Sequence, residues 1–219
     1  MIYLDCAATT FQKPPAVAGP MERAMATMSS PGRGGYQAAM EAAQHGLYLP
    51  DQLAEMFHVE NPERGIYYEC NSRVEYRHQK PGAAGGRAVI SGYEHNAVTR
   101  PLAALRAKTA VAAAPLFQPE AVLAALQQTV TPDTDAVICN HASNVFGFIQ
   151  PVEEIAALCR SRGVPLVVDA SNPLSGSAPA GYGGTGCVLL LGEGRNTRDF
   201  MALRGLVCFC VGEGDWSDR

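Results

Sequence analysis

The sequence predicts an α/β fold in which a mainly parallel sheet is covered by helices on both faces. Short apolar runs of strand length alternate along the chain with stretches whose apolar residues recur at helical spacing. This order is typical of parallel sheets, because the crossover between two parallel strands usually contains a helix. The runs are apolar throughout, which indicates strands that are buried on both faces. The 219 residues of the chain are enough to bury one sizeable core.

Helical spacing predicts helices over 16–28 and 36–57, although Gly46 and Pro50 interrupt the second. Pro119 opens a later helix at a position where its missing N–H costs nothing, and Gly163 ends the next one. Apolar runs and the periodic stretches between them predict the remaining elements: a strand over 87–91, a helix over 96–108, a helix over 119–128, a strand over 135–139, a helix over 152–162 and a strand over 164–169.

Two stretches break this order. Residues 69–86 are polar and have no period, and residues 172–204 are rich in Gly, Pro and Ser before becoming irregular. Structureless segments of that length are uncommon inside a compact domain. We therefore expect one large domain over 1–219 that is irregular at 69–86 and 172–204.

Composition excludes several classes of protein. The net charge is −4 and no run of Lys and Arg stands out, so the sequence does not predict nucleic-acid binding. No apolar stretch reaches the roughly 20 residues that a membrane span needs. The seven cysteines follow neither a disulfide framework nor a metal-site spacing, which predicts reduced thiols, no metal and a cytoplasmic protein.

Three polar residues follow predicted strands, where ligands bind in open parallel sheets. Asp169 ends an apolar run, and a buried carboxylate there needs a cationic partner, such as the protonated ring nitrogen of pyridoxal 5'-phosphate (PLP), unless it caps the next turn. His95 lies where a strand meets a helix and can either stack on a flat cofactor or cap the helix. Asn144 can donate to a ligand oxygen or form an Asx turn before Gly147.

In order along the chain, five motifs resemble those of the cysteine desulfurases and selenocysteine lyases among the class V aminotransferases. Residues 5–10 are similar to the motif D-N-A-A-T-T, and residues 30–35 to N-P-G-R-G-G. Residues 94–97 match E-H-N-A, residues 141–147 match H-x-S-N-x-x-G, and residues 168–171 match V-D-A-S. The resemblance implies the large domain of a fold-type-I PLP-dependent transferase.

The resemblance also implies roles for particular residues. His95 would stack on the PLP ring, and Asp169 would pair with its ring nitrogen. Asn144 would contact the side of the ring hydroxyl, toward which Asn172 would also point.

Ala7 and Ala8 would lie near the carboxylate of the substrate. That substrate would be cysteine or selenocysteine, which the family converts to alanine while the sulfur or selenium passes to an acceptor. Fold-type-I relatives usually share their sites across a dimer, so the resemblance also implies a homodimer.

Several departures from the family pattern limit what the resemblance implies. The lysine that attaches PLP covalently is expected about 25 residues after Asp169, but the lysines of this chain are Lys13, Lys80 and Lys108. The N-A-T motif near residue 71 is missing, and Cys6 replaces the Asn of the first motif. The family is about twice this length, so the C-terminal small domain is expected to be absent.

Both irregular stretches coincide with a lost motif, and compensated frameshifts in the coding sequence would explain both. Codons compatible with residues 69–86, read one base later, can encode Asn-Ala-Thr and an amphipathic helix. Codons compatible with residues 197–202, displaced by one base the other way, can encode a sequence that begins with His-Lys. The sequence thus predicts a cysteine desulfurase-like chain that lacks catalytic residues and is inactive. The alternatives are a folded, non-catalytic binding protein and a frameshift-damaged product.

Overall fold

The computed structural model describes residues 2–3, 11, 15–32, 34–57, 65–68, 86–170, 189–193 and 206–209. The helices of these residues, numbered in chain order, are α1 (Pro15–Thr27), α2 (Gln37–Phe57), α3 (Asn96–Ala104), α4 (Pro119–Thr129) and α5 (Val152–Arg162). The strands are β1 (Gly65–Tyr68), β2 (Arg87–Ser91), β3 (Lys108–Ala112), β4 (Ala136–Asn140), β5 (Leu166–Asp169), β6 (Leu189–Glu193) and β7 (Leu206–Phe209).

All seven strands form one sheet in the order β1-β7-β6-β5-β4-β2-β3. The five strands from β6 to β3 in that order run parallel, whereas β7 is antiparallel to both β6 and β1. The prediction of a mainly parallel sheet is therefore confirmed. The parallel strands end together along one side, which we call the carboxyl edge, and begin along the opposite side, which we call the amino edge.

Residues of the central strands point alternately into two separate cores. One core contains Val89, Val137, Cys139, Leu166 and Val168, and the other contains Ala88, Ile90, Ile138 and Val167. Because successive residues of a strand face opposite sides of the sheet, strands with apolar residues at every position need cover on both faces. The continuous apolar runs in the sequence have this physical cause.

Helices supply that cover on both faces, as the sequence predicts. Val98 and Leu102 of α3 pack on one face, while Val122 and Leu126 of α4 and Ile155 of α5 pack on the other. Each of these side chains is fully or almost fully buried. Burial of a side chain of this size contributes about 1.5–3 kcal/mol to stability.

Local signals set most element boundaries. Pro119 occupies the first turn of α4, and Gly163 ends α5 in the left-handed conformation, at φ 65°, which a glycine adopts without steric cost. The helix predicted over 96–108 is shorter than expected. It ends at Ala104 because Arg106 takes a positive φ of 52° and β3 begins at Lys108.

Strand β3 is not among the elements predicted from sequence. It forms the end of the sheet beside β2 and buries only Ala112 completely. Its apolar residues are mostly alanines, which are depleted in strands, so the run gave no strand signal. Helix α2 is unbroken from Gln37 to Phe57 in spite of the two predicted interruptions. Within the expected irregular stretch 172–204 the structure describes one ordered element, β6, and residues 69–85 lie outside the described residues. No helix in the described part of the chain is both long enough and apolar enough to cross a membrane.

Candidate functional site

Three strands of the carboxyl edge end in buried polar residues. Ser91 ends β2, Asn140 ends β4 and Asp169 ends β5, and each of these residues is at most 9% exposed. In the pairing of β4 with β5, Asn140 lies directly opposite Asp169. Buried polar side chains are stable only when they are hydrogen-bonded or paired with charge. The carboxyl edge is thus where the described chain concentrates groups that need polar partners.

A tight turn carries the chain from β2 into α3 at this edge. His95 is the N-cap residue of α3, and its Nδ1 accepts a hydrogen bond from the Ala97 N–H at 3.1 Å. The cap satisfies one of the N–H groups that the first turn of a helix leaves without a partner. The His95 ring is otherwise exposed. Of the two alternatives that the sequence leaves open, capping is observed, and it fixes the ring at the edge of the sheet.

Glu94, the residue before the cap, connects this turn to β4. Its Oε1 accepts a hydrogen bond from the Asn140 N–H at 2.9 Å and another from the Ser91 hydroxyl. A second link runs the other way, because the Asn140 side-chain amide donates to the Tyr93 carbonyl at 2.6 Å. Burial of the Glu94 carboxyl, with a further contribution from the negative charge of Asp169, raises the pKa of Glu94 to about 8.

Gln150, which follows the loop after β4, bonds to the same group of residues. Its Nε2 lies within hydrogen-bonding distance of three acceptors, the Ser91 hydroxyl at 3.0 Å, the Asn140 carbonyl at 2.8 Å and the Asn140 side-chain oxygen, so its two protons serve three oxygens and one of them is shared. We call Ser91, Glu94, Asn140 and Gln150 the Glu94 cluster. Because the cluster joins the ends of two strands, a turn and a loop, it fixes the relative positions of the segments that carry His95 and Asp169.

Residues 141–149 form a loop whose ends are pinned together. The Gln150 N–H donates to the His141 carbonyl at 2.8 Å, and Gly147 turns the chain at φ 66°. The hydroxyl of Ser143 accepts from the N–H groups of residues 145 and 146, so Ser143 rather than Asn144 holds the turn. Among the described residues the Asn144 side chain makes no hydrogen bond, and it is exposed. Of the two alternatives for Asn144, the Asx turn is not observed.

His141 lies between the loop and β5. Its N–H donates to the Asp169 carbonyl at 2.8 Å, and its side chain is only 6% exposed. Burial disfavours the charged imidazolium and lowers the pKa of His141. This histidine is therefore neutral at neutral pH, and it adds no positive charge to the surroundings of Asp169.

The structure places three of the predicted site residues along one side of the sheet. His95, Asn144 and Asp169 all belong to the carboxyl edge. Asn172, Ala7 and Ala8 lie outside the described residues. Sequence reasoning missed Glu94 and Gln150 as members of the site, although Glu94 belongs to one of the five motifs. Gln150 belongs to none of the motifs, and the residue after it, Pro151, which precedes α5, did not indicate a functional role for it.

The described residues fit the ring of PLP but not its covalent attachment. Asp169 supplies a buried carboxylate at the carboxyl edge, where it would face a ring-nitrogen proton. The lysine that the structure describes is Lys108, which is exposed and begins β3 opposite Arg87. It therefore lies at the amino edge, on the far side of the sheet from Asp169. Lys13 and Lys80 are outside the described ranges, as are the residues about 25 positions after Asp169, none of which is a lysine.

The fold is that of fold-type-I PLP-dependent transferases. The class-V aminotransferase family matches residues 2–179, and the chain belongs to that family. Within the family it is cysteine desulfurase-like, as the five motifs suggested. The enzymes of this family depend on PLP.

Two curated relatives are probable cysteine desulfurases. The one from Synechocystis sp. is 28% identical over 182 residues, which cover 78% of this chain and 42% of the relative. The one from Halalkalibacterium halodurans is 25% identical over 185 residues, which cover 78% of this chain and 44% of the relative. The chain thus spans less than half the length of the curated relatives that it matches.

Solved structures show the same fold at lower identity. The apo cysteine desulfurase from Thermococcus onnurineus NA1 superposes with a TM-score of 0.78 at 18% identity, over 97% of this chain and 54% of that one. A cysteine desulfurase from Escherichia coli superposes with a TM-score of 0.73 at 18% identity, over 95% of this chain and 53% of that one.

Proposed function

We propose that this chain is a cysteine desulfurase-like domain that binds PLP without covalent attachment and does not cleave the C–S bond of cysteine by itself. The observation that carries the proposal is the position of Asp169, a buried carboxylate at the carboxyl edge, together with the position of Lys108 at the amino edge. A carboxylate buried there favours a cationic ring nitrogen, whereas a lysine at the opposite edge cannot reach the same ligand.

Each predicted residue has a defined task in this proposal. Asp169 would hold the proton on the ring nitrogen, and His95, already fixed by its cap on α3, would cover one face of the ring. Asn144 would donate from the exposed tip of its loop to the side of the ring hydroxyl, beside Asn172. When bound, PLP supplies an electron-withdrawing ring.

The substrate side of the proposal comes from the family. Ala7 and Ala8 would leave room for the carboxylate of cysteine or selenocysteine. We further propose a cytoplasmic protein that forms a homodimer and binds neither nucleic acid nor membrane.

Equilibrium dialysis of purified protein against PLP tests the proposal. Replacing Asp169→Asn keeps the shape of the side chain and removes its charge, so the affinity for PLP should fall by about tenfold or more, since hydrogen bonds to charged groups contribute about 1.5–3 kcal/mol. Glu153→Gln is the matched control, because Glu153 is an exposed carboxylate on α5. Equal affinity of the Asp169→Asn protein and the control would refute the role of Asp169.

Borohydride reduction of the PLP-loaded protein tests the absence of covalent attachment. Reduction converts a lysine–PLP linkage into a stable adduct that mass spectrometry detects, and we expect none. Alanine production from cysteine should also stay at the rate of a protein-free control. A lysine adduct or measurable turnover would contradict the proposal.

The lack of the lysine also favours the second candidate, a folded relative that acts as a binding protein without PLP. A cooperative thermal melt with no affinity for PLP would support that candidate. A frameshift-damaged product would instead melt without cooperativity. Its coding DNA, read one base later at residues 69–86, would encode Asn-Ala-Thr.

A further inference from the structure

Two buried polar atoms of the Glu94 cluster have no hydrogen-bond partner among the described residues. They are Oε2 of Glu94 and Oε1 of Gln150. An unsatisfied buried polar atom costs about 1–3 kcal/mol, so two of them in one cluster require a physical reason. Both side chains bond the same Ser91 hydroxyl, Glu94 through Oε1 and Gln150 through Nε2, which places them around one common group.

The cluster also connects the two parts of the candidate cofactor site. Glu94 precedes His95 in the chain, and its Oε1 bonds the N–H of Asn140. Asn140 in turn lies directly opposite Asp169 in the sheet. A displacement of the Glu94 carboxyl would therefore free the turn that carries the His95 ring from the strands that carry Asp169.

We propose that Glu94 is a positioning residue of the candidate cofactor site and acts as a neutral carboxylic acid. In this form Oε1 accepts from Ser91 and from the Asn140 N–H, while the proton on Oε2 makes that atom a donor. A donor is the kind of partner that Oε1 of Gln150 lacks. The inference names PLP as the ligand on the strength of the proposed function, but the geometry of the cluster does not depend on it.

The surroundings of Glu94 favour the neutral form. From β2 it meets the Ser91 hydroxyl, and from β4 it meets the Asn140 N–H, both of which are uncharged. From β5, the negative charge of Asp169 disfavours a second negative charge on Glu94. A neutral Glu94 thus leaves Asp169 as the carboxylate that faces a cationic ring nitrogen.

Amide hydrogen exchange measured by NMR on the unliganded protein tests the positioning role. We compare Glu94→Ala, which removes the carboxyl, with Glu94→Gln, which keeps an acceptor and places an uncharged donor at the other position. Exchange at the Asn140 N–H and at the Ala97 N–H should accelerate by about tenfold or more in Glu94→Ala, since both depend on this turn. Exchange in Glu94→Gln should stay within about threefold of the wild type.

Two controls separate a local effect from general destabilisation. The Val137 N–H lies in the same strand as Asn140 and donates to the Pro165 carbonyl, so it reports on the sheet without touching Glu94. Glu153→Ala removes an exposed carboxyl from α5 and should change none of these amides. If Glu94→Ala does not fold, the comparison of amide exchange in Glu94→Gln with that in the wild type tests the neutral form of Glu94 by itself.

Affinity for PLP, measured by equilibrium dialysis, extends the test to the ligand. Glu94→Gln should keep the wild-type affinity within about threefold, and Glu94→Ala should lose about tenfold, since misplacement of His95 removes a contact. Exchange at Asn140 or Ala97 that is unchanged in Glu94→Ala would overturn the positioning role. Damage by Glu94→Gln equal to that by Glu94→Ala would overturn the neutral acid. A wild-type protein that does not bind PLP refutes the proposed function, whereas the exchange data still decide this inference.

Discussion

Replacing Glu94 by Gln should change how the stability of the protein depends on pH. Burial and the charge of Asp169 raise the pKa of Glu94 to about 8, from an ordinary value of 4.5. In the unfolded chain the carboxyl titrates near the ordinary value, so between these two pKa values the folded protein holds one proton more than the unfolded chain. The free energy of unfolding therefore falls as the pH rises through this window.

The size of the effect follows from the shift. One pKa unit corresponds to about 1.4 kcal/mol, so the contribution lost between about pH 5 and about pH 8 is on the order of 4 kcal/mol. That is a large part of the 5–15 kcal/mol by which domains are typically stable. A glutamine cannot ionise, so the Glu94→Gln protein should lack this loss.

Urea unfolding of both proteins at a series of pH values between about 5 and 8 measures the effect. His141 acts in the opposite direction, because its lowered pKa makes the protein less stable as the pH falls below the ordinary value for histidine. This contribution is the same in both proteins and cancels in their difference. The wild type minus Glu94→Gln difference should fall steadily as the pH rises. A flat or rising difference would show that Glu94 is ionised in the folded protein and would refute the reasoning.

Three further predictions concern stability and thiol reactivity. Arg87→Met should lower the free energy of urea unfolding by about 2–3 kcal/mol, because the guanidinium loses hydrogen bonds to the Thr134 hydroxyl and to a backbone carbonyl. It should leave PLP affinity unchanged, and weaker binding would contradict the assignment of the site to the carboxyl edge. Gly163→Ala should cost about 1 kcal/mol in the same assay, because φ is 65° there; no loss would mean that the helix end readjusts. Cys139 and Cys159 are buried, and burial raises the pKa of the Cys159 thiol to about 12, so both should resist iodoacetamide in the folded protein. Mass spectrometry locates the label, and rapid labelling of either thiol would argue against the core described above.

The predicted elements agree best with the structure where a local signal marks them. The strand over 87–91 and the helix over 152–162 have the predicted bounds, since an apolar run marks the first and a glycine ends the second. Strand β3 was not predicted, because it is an edge strand with one completely buried residue and its apolar residues are mostly alanines, which are depleted in strands. The predicted α3 is too long, because its last residues form the turn at 105–107 and the first residue of β3, Lys108.

Some residues of the candidate site could be found from the sequence and others only from the structure. Asp169, His95 and Asn144 were found from sequence because each follows a predicted strand and belongs to a motif. The sequence left open whether His95 caps a helix, and the contact with the Ala97 N–H answers that question. Gln150 carried no signal, since its role depends on hydrogen bonds to groups that are up to 59 positions away in the chain.

By itself, the sequence determined the class of fold, the five helices and three of the seven strands that the structure describes, the family, and the lack of a lysine after Asp169. These features depend on composition, on period and on residues that are near neighbours in the chain. The tertiary structure alone decided the strand order, the position of Asn140 opposite Asp169 and the burial of the Glu94 carboxyl. The physical reason is that strand pairing joins distant segments, and the protonation state of a carboxyl depends on whatever those segments place around it.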